Sequence, residues 1–563
     1  MWSNLSQAFD PMGALDSCLK VQSAWLNHPS ELFKQQAQFI QDCAQIFPKA
    51  YMRCVDEEAC QSHIAAQPYD ERFQDSVWRE HLYFDLCKEY YLLTTRWLED
   101  RIYESPRLNV DPKTSHKAAF WVRQFLNACS PTNFLATNPK ALGKAQETNG
   151  LSLFNGMMLL MEDIINQNVK MVDETPFSVG KNLATTPGKV IFRNEILELI
   201  QYTAQTNKVH AIPILIVPPW INKYYILDLN PNKSLVNFLV QQGFSVFMIS
   251  WKNPTTEDRI LEFEDYLFKG IQQAAQIVQQ ILNADALHAV GYCVGGTALT
   301  SFLAWANHDT IQKKQNPIEH ATLLCTMVDF ENPGEIGVFI DEPTLDFINQ
   351  LMSFKGYLDG KAMADTFRWL RSNSLIWQYV VQRYLLGEEP PPFDVLYWNI
   401  DKTRLPEKMH AFYLENFYLK NKLCQKGQLK FKNLELDMGK IQQSIYAVGT
   451  EQDHITPWKE TFKIAQYTNS PVRYVLATSG HILGILSPSV NPPKRHYWVC
   501  DATGANNADY WKNNTEKTLG SWWDDWKQWL GQHCGPMIDA PTVGRNPDFP
   551  ALCKAPGTYV LKP

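Results

Sequence analysis

Four things are missing from this sequence, and each absence removes a class of function or setting. No run of 18 or more apolar residues occurs, so no segment reads as a membrane-spanning helix. The most apolar stretch, "HAIPILIVPPW", is short and ends on prolines, and it reads as a buried strand. No block or stripe of Lys and Arg occurs either. The 52 basic and 59 acidic residues leave a net charge of −7, and phosphate neutralisation needs clustered cations, so no nucleic-acid partner is expected. No C-x-x-C pair occurs among the 12 scattered cysteines. Cys54 and Cys60 lie near His63, but no second ligand pair follows, so no zinc site is expected there. The start, "MWSNLSQAFDPMGALDS", lacks the basic-then-apolar pattern of a secretory signal. A reducing cytoplasm is the expected setting, with most thiols acting as small core hydrophobes.

What is present suits a large folded protein. A chain of 563 residues exceeds one ordinary domain of about 100–200 residues. Residues 1 to about 175 read as a helical region, because "QFIQDCAQIF" and "HLYFDLCKEYYLLTTRWLEDRIY" place apolar residues three and four apart. Trp121, Phe125 and Ala128 would form one stripe, read as ordinary core. From about residue 176 the pattern changes. "GKVIFRNEILELIQYT" reads as paired strands. Short apolar runs then alternate with helical patterns: Ile212 to Val217, Phe244 to Trp251, Ala286 to Tyr292, Ala321 to Val328, Ser444 to Gly449 and Val472 to Ala477. Such alternation predicts a mostly parallel sheet with helices on both faces. A stretch of about 329–440 interrupts it, too long for a loop, and reads as an inserted cap over the carboxyl ends of the strands. In the tail, Trp522, Trp526 and Trp529 share one helical face, read as a helix docking into the domain.

The chemistry centres on "LHAVGYCVGGTALTSFLAW". Gly291-Tyr292-Cys293-Val294-Gly295 has the outline of a G-x-S-x-G nucleophile elbow, with strand before and helix after, but carries Cys where serine is usual. A thiol nucleophile needs a base, and the base an orienting acid, in the order nucleophile, acid, histidine. Asp453 follows one predicted strand and His481 another, which satisfies that order. His454, beside the acid, is the competing base. Taken singly, Asp453 could be a loop N-cap and His481 a satisfied buried histidine. Backbone donors for an oxyanion would come from Val294 and from the loop after Val217. Pro218 and Pro219 have no N–H, so Trp220 or Ile221 must supply the second; Ile221 is the choice. Cysteine rather than serine points to acyl transfer from a thioester. Thioester exchange is nearly neutral and keeps the acyl group activated for attack by a hydroxyl.

Several stretches resemble the class I polyhydroxyalkanoate synthases: "GKNLATTPGKVIFRN", "LIVPPWINKYYILDLNPNKSLVNFLVQQGFSVFMISWKNP", "GYCVGGT", "TMVDFENPGEIGVFID", "PFDVLYWNIDKTRLP", "GTEQDHITPW" and "SGHILGI". "RQFLNACSPTNFLATNP" joins them near the start. The resemblance implies an α/β-hydrolase fold over 176–563 with the cap at about 329–440, and an N-terminal helical region over 1–175 serving dimer and granule association. It implies Cys293 as nucleophile, Asp453 as acid and His481 as base. The substrate would be an (R)-3-hydroxyacyl-coenzyme A, short-chain such as 3-hydroxybutyryl, and the growing polyester the acceptor. Coenzyme A leaves, and no metal or other cofactor is expected. A homodimer at the surface of cytoplasmic polyester granules, with granule-associated proteins nearby, completes the expectation. A cysteine hydrolase of the thioesterase or dienelactone-hydrolase type shares the triad. A non-catalytic granule scaffold would leave the triad order as coincidence.

Overall fold

The computed structural model describes residues 10–55, 61–67, 70–311 and 315–562. The first nine residues, Cys60 and the Cys54 side chain lie outside it, so the readings made on them do as well. The chain forms two compact units. One holds the residues up to Thr175 together with Asp365–Phe393; the other holds Pro176–Ala364 and Asp394–Pro563.

Among the described residues of the first unit, every regular element is a helix. Its long helices are α1 (Ala14–Leu26), α2 (Pro29–Val55), α3 (Leu82–Tyr103), α4 (Pro112–Ala128) and α5 (Leu151–Asn166). Helix α4 starts where Asp111 accepts from the Thr114 N–H at 2.9 Å, with Pro112 at its first position. The stripe read as core is corrected here, because Phe125 is 68% exposed. The packed face of α4 carries Ala118, Ala119 and Leu126 instead. Small alanines let a neighbouring helix approach closely, and a search for large apolar residues overlooks them.

Between α2 and α3 lies a buried charge cluster. Arg53 donates to Asp85 and Glu89, both at 2.5 Å, and Lys88 donates to Asp85 at 2.8 Å. A second cluster ties 365–393 to α5. Arg383, fully buried, forks onto Asp163 at 2.9 and 3.0 Å, and the Tyr384 hydroxyl reaches the same carboxylate at 2.8 Å. Gly156 packs against the Tyr384 carbonyl so closely that any Cβ would overlap it.

The second unit is built on an eleven-stranded sheet. In chain order the strands are β1 (Gly188–Arg193), β2 (Leu197–Tyr202), β3 (Ile214–Val217), β4 (Val246–Trp251), β5 (Leu287–Tyr292), β6 (Ile318–Leu324), β7 (Ser444–Thr450), β8 (Val472–Ala477), β9 (His496–Asp501), β10 (Lys517–Leu519) and β11 (Cys553–Lys554). Their spatial order is β10-β9-β8-β7-β6-β5-β3-β4-β2-β1-β11. The six strands from β4 to β8 in that row pair in parallel, and their burial on both faces explains their unbroken apolar runs. The rest of the sheet pairs antiparallel.

Strand β6 ends at Leu324, not Val328, because Cys325 turns the chain at φ +44°. Its N–H still donates to the Val448 carbonyl at 2.7 Å. Strands β9, β10 and β11 have no counterpart in the reading of the sequence. They are short or carry polar residues, and β10 and β11 form the two edges of the sheet. The tail helix α6 (Trp522–His533) buries Trp522, Trp523, Trp526 and Trp529. The Trp526 indole donates to Thr322 of β6 at 2.9 Å, so this helix docks into the unit as expected.

Candidate active site

The order of the parallel strands reverses between β3 and β5, since β4 follows β3 on one side and β6 follows β5 on the other. Ligands of open α/β sheets bind at the carboxyl ends of strands flanking such a point. Cys293 sits there, immediately after β5, at φ 52° and ψ −125°. A helix over Val294–Ala306 starts at the next residue. The glycines of the motif exist for close contact. A Cβ on Gly291 would lie 2.5 Å from the Gly296 Cα, and one on Gly295 would overlap the carbonyls of Val217 and Pro218. The strained turn is therefore held by backbone packed on backbone. The same contact sets the loop after β3 against the elbow.

Asp453 follows β7 and His481 follows β8. The Asp453 carboxylate lies 2.7 Å from His481 Nδ1. It also accepts from the backbone N–H groups of Ile455 and Thr456, both at 2.9 Å, and from the hydroxyls of Thr456 at 2.8 Å and Thr450 at 3.1 Å. Burial works against its charge, but the imidazole and these donors hold Asp453 well below the usual carboxylate range. Burial likewise opposes a charge on His481, yet Asp453, with Tyr292 and Cys293, carries its imidazole well above the ordinary value. The Tyr292 ring stacks on the imidazole at 5.5 Å and its hydroxyl donates to the His481 carbonyl at 3.1 Å. With Nδ1 turned to the acid, Nε2 is the nitrogen left for reaction. Cys293 is half-buried and within electrostatic reach of His481. The hydrogen bond to the acid is made by His481; His454, the competitor, is half-buried beside it.

Val294 occupies the first position of the helix after the elbow, where an N–H has no intrahelical acceptor. Ile221 lies in the loop after β3. The carbonyls of Trp220 and Ile221 are both held by the Thr403 hydroxyl, so a residue of the stretch inserted between β6 and β7 fixes this loop. Trp220 itself is buried against Trp251, Phe263 and Tyr266.

Several residues near the site were not singled out in the sequence. Tyr413 and Tyr418 are both pushed up by burial first; Cys293 comes next for Tyr418 and, after Tyr418 itself, for Tyr413, and the two share a hydrogen bond. Phe330 and Phe417 pack on them. Tyrosines at this helical spacing look like core in a sequence, and only the fold brings them to the thiol. Cys325 is another. Among the described residues, Cys325, Asp453 and His481 form the one group of three side chains whose ligand atoms could share a metal ion.

With the geometry in hand, comparison with known proteins gives its family. The sequence model described as the poly-beta-hydroxybutyrate polymerase (PhaC) N-terminus matches residues 69–239, and that of the alpha/beta hydrolase fold matches residues 212–488. The poly(3-hydroxyalkanoate) polymerase of Methylorubrum extorquens is 39% identical, over 96% of this chain and 88% of its own. The polymerase subunit PhaC of Rhizobium etli is 38% identical, over 99% and 87%, and that of Cupriavidus necator 37%, over 87% and 83%. Among solved structures, a 2-hydroxy-6-oxo-6-phenylhexa-2,4-dienoate hydrolase from Rhodococcus sp. strain RHA1 matches at 10% identity and TM-score 0.29, over 52% of this chain and 92% of its own. The sheet order, the cysteine elbow and the extent of these sequence matches agree: the chain belongs to the poly(3-hydroxyalkanoate) polymerase family.

Proposed function

We propose that this chain is an acyltransferase that polymerises (R)-3-hydroxyacyl units, short-chain ones such as 3-hydroxybutyryl, from their coenzyme A thioesters into polyester. The observation that carries this reading is a cysteine on the elbow at the sheet's switch point, with the Asp453–His481 pair at 2.7 Å beside it, in a chain of this family. His481 Nε2 takes the Cys293 proton, and the thiolate attacks the thioester carbonyl. The N–H groups of Val294 and Ile221 receive the negative oxygen. Collapse breaks the bond to coenzyme A, which leaves as the thiol after taking the proton back from His481. The acyl group is now a thioester of Cys293. A 3-hydroxyl then gives its proton to His481 and attacks that thioester, forming one ester and freeing Cys293. Asp453 orients the imidazole and stabilises its charged form.

The aromatic side chains of Phe330, Tyr413 and Phe417 support a dry site in which alcohol rather than water reaches the acyl group. Helix α5 suits contact with an apolar polymer, as Phe154, Met157, Met161, Ile164 and Ile165 are exposed on it. Work at a granule surface as a homodimer is part of the same proposal. Among the described residues no helix is long and apolar enough to cross a membrane.

The test is incubation with (R)-3-hydroxybutyryl-coenzyme A, following thiol release and turbidity together. Wild type should release coenzyme A and turn cloudy, and Cys293→Ala should do neither while keeping its far-ultraviolet dichroism. Thiol release with only soluble hydroxy acid would convert the reading into a hydrolase.

A further inference from the structure

One thiol at this site has no part in the chemistry above. Cys325 is fully buried, with its Sγ 3.9 Å from the His481 carbonyl oxygen and 3.7 Å from Thr450 Oγ1. That hydroxyl in turn donates to Asp453. One ligand atom from each of Cys325, Asp453 and His481 lies within 4.8 Å of the other two. The three side chains come from the carboxyl ends of three adjacent strands, β6, β7 and β8, which hold them in place independently of any ion.

We propose that Cys325, Asp453 and His481 form an inhibitory site for a thiophilic divalent cation such as zinc. The donor set is mixed sulfur, oxygen and nitrogen, which suits zinc, cobalt or cadmium and disfavours magnesium and calcium. Zinc bonds of about 2.3 Å to sulfur and about 2.0–2.1 Å to nitrogen put tetrahedral ligands roughly 3.5 Å apart. The sulfur would need to move in by on the order of 1 Å and the Asp453–His481 contact, now 2.7 Å, to open by on the order of 0.7 Å, movements within reach of side-chain rotation.

The charges balance as well. A thiolate and a carboxylate neutralise the dication, and the imidazole binds uncharged, so no net charge is buried. The Thr456 hydroxyl, 3.2 Å from His481 Nδ1, stands beside the group. Binding releases the Cys325 thiol proton to solvent, together with the Nδ1 proton where the ring starts charged. It also takes the Nδ1 lone pair, so the neutral ring must carry its proton on Nε2. That nitrogen can then no longer accept a proton from Cys293, and the enzyme stops with its nucleophile untouched. The inhibition rests on the role proposed for His481; the binding does not.

Cobalt(II) provides the test, because a cobalt–thiolate bond gives a charge-transfer absorption in the near ultraviolet. It is titrated into Cys293→Ala, in which the nucleophile cannot be the ligand. That protein should show one equivalent of thiolate-bound cobalt that is lost in Cys293→Ala combined with Cys325→Ser, with Cys325→Ala, or with His481→Gln. Zinc should raise the melting temperature of the first protein and not of the combined variants. With Cys293 restored, Cys325→Ser should raise the zinc concentration for half-inhibition of coenzyme A release at least tenfold. Equal cobalt signals with and without Cys325, or unchanged zinc inhibition in Cys325→Ser, would overturn the proposal. Failure of Cys293→Ala to abolish polymerisation would count against the function and leave the binding result standing.

Discussion

The two units differ in what dominates their interiors. The catalytic unit hides a continuous apolar sheet and a row of tryptophans, with single buried carboxylates such as Glu198, Asp228 and Asp453 set among them. The helical unit hides Arg53, Asp85, Glu89, Asp163 and Arg383 and exposes Phe125, Phe154, Ile164 and Ile165. A dry core stabilises by area removed from water, about 25 cal/mol per Å². A buried ion pair roughly breaks even against an apolar replacement, and is costly when one partner is removed. The catalytic unit thus draws its stability mainly from buried apolar area, while in the helical unit the buried charges chiefly make the loss of one partner costly.

Four changes would sharpen or break this contrast. The largest effect should come from Asp453→Asn, which leaves packing intact but removes the charge facing the imidazole. Coenzyme A release should fall by about 10⁴-fold, as for the equivalent change in other triads. Its stability effect should depend on pH. Asp453 is held below its ordinary value, so its contribution is complete above about pH 4 and fades only as pH falls through the depressed value. His481 is held above its ordinary value, so its contribution is complete below about pH 6.5 and fades as pH rises through the raised value. Melting curves should show the gap between wild type and Asp453→Asn widest near pH 5–6 and narrowing on the alkaline side. A gap that widens with pH would mean the pair is not charged as described.

Next should come Trp526→Ala, at about 3–5 kcal/mol by denaturant unfolding of the catalytic unit, from lost core volume. Arg383→Met should cost a similar or smaller amount, about 3–5 kcal/mol at most, because it strands the Asp163 carboxylate. Arg383→Met with Asp163→Leu should recover most of it. Limited proteolysis of the helical unit would read both, and no recovery would mean that the pair is not what holds α5 to 365–393. The smallest effect should come from Phe154→Ser with Ile165→Ser. Both side chains already meet solvent, so stability should move by about 0.5 kcal/mol or less per change, while sedimentation with polyester granules should weaken.

The catalytic unit was largely legible in the sequence because its signals are local. A strand, a glycine-flanked cysteine and a helix follow one another within twenty residues, and acid and histidine each stand just after an apolar run. What escaped is set by distant packing. Cys325 lies in a run that reads as continuous strand, and nothing nearby announces that it turns against His481. Tyr413, buried, and Tyr418, half-buried, carry no local mark in the sequence; the fold adds that their neighbour is a thiol. In the helical unit the periodicity gave helices but not their inward faces. Helix α5 buries Ser152, Gly156 and Asp163, a face that no search for apolar stripes would select.

The closure of the sheet bears on how the protein is made. Strand β1 pairs with β11, and Glu198, buried on β2, accepts hydrogen bonds from the backbone of Thr558 and Tyr559 at 2.8 and 2.9 Å. At about 5–20 residues per second, a ribosome needs roughly 20–70 s to travel from the end of β1 to β11. Throughout that interval one margin of the nascent sheet lacks its final strand. Chaperone dependence during synthesis should therefore track residues 553–559 more closely than anything at the reactive centre.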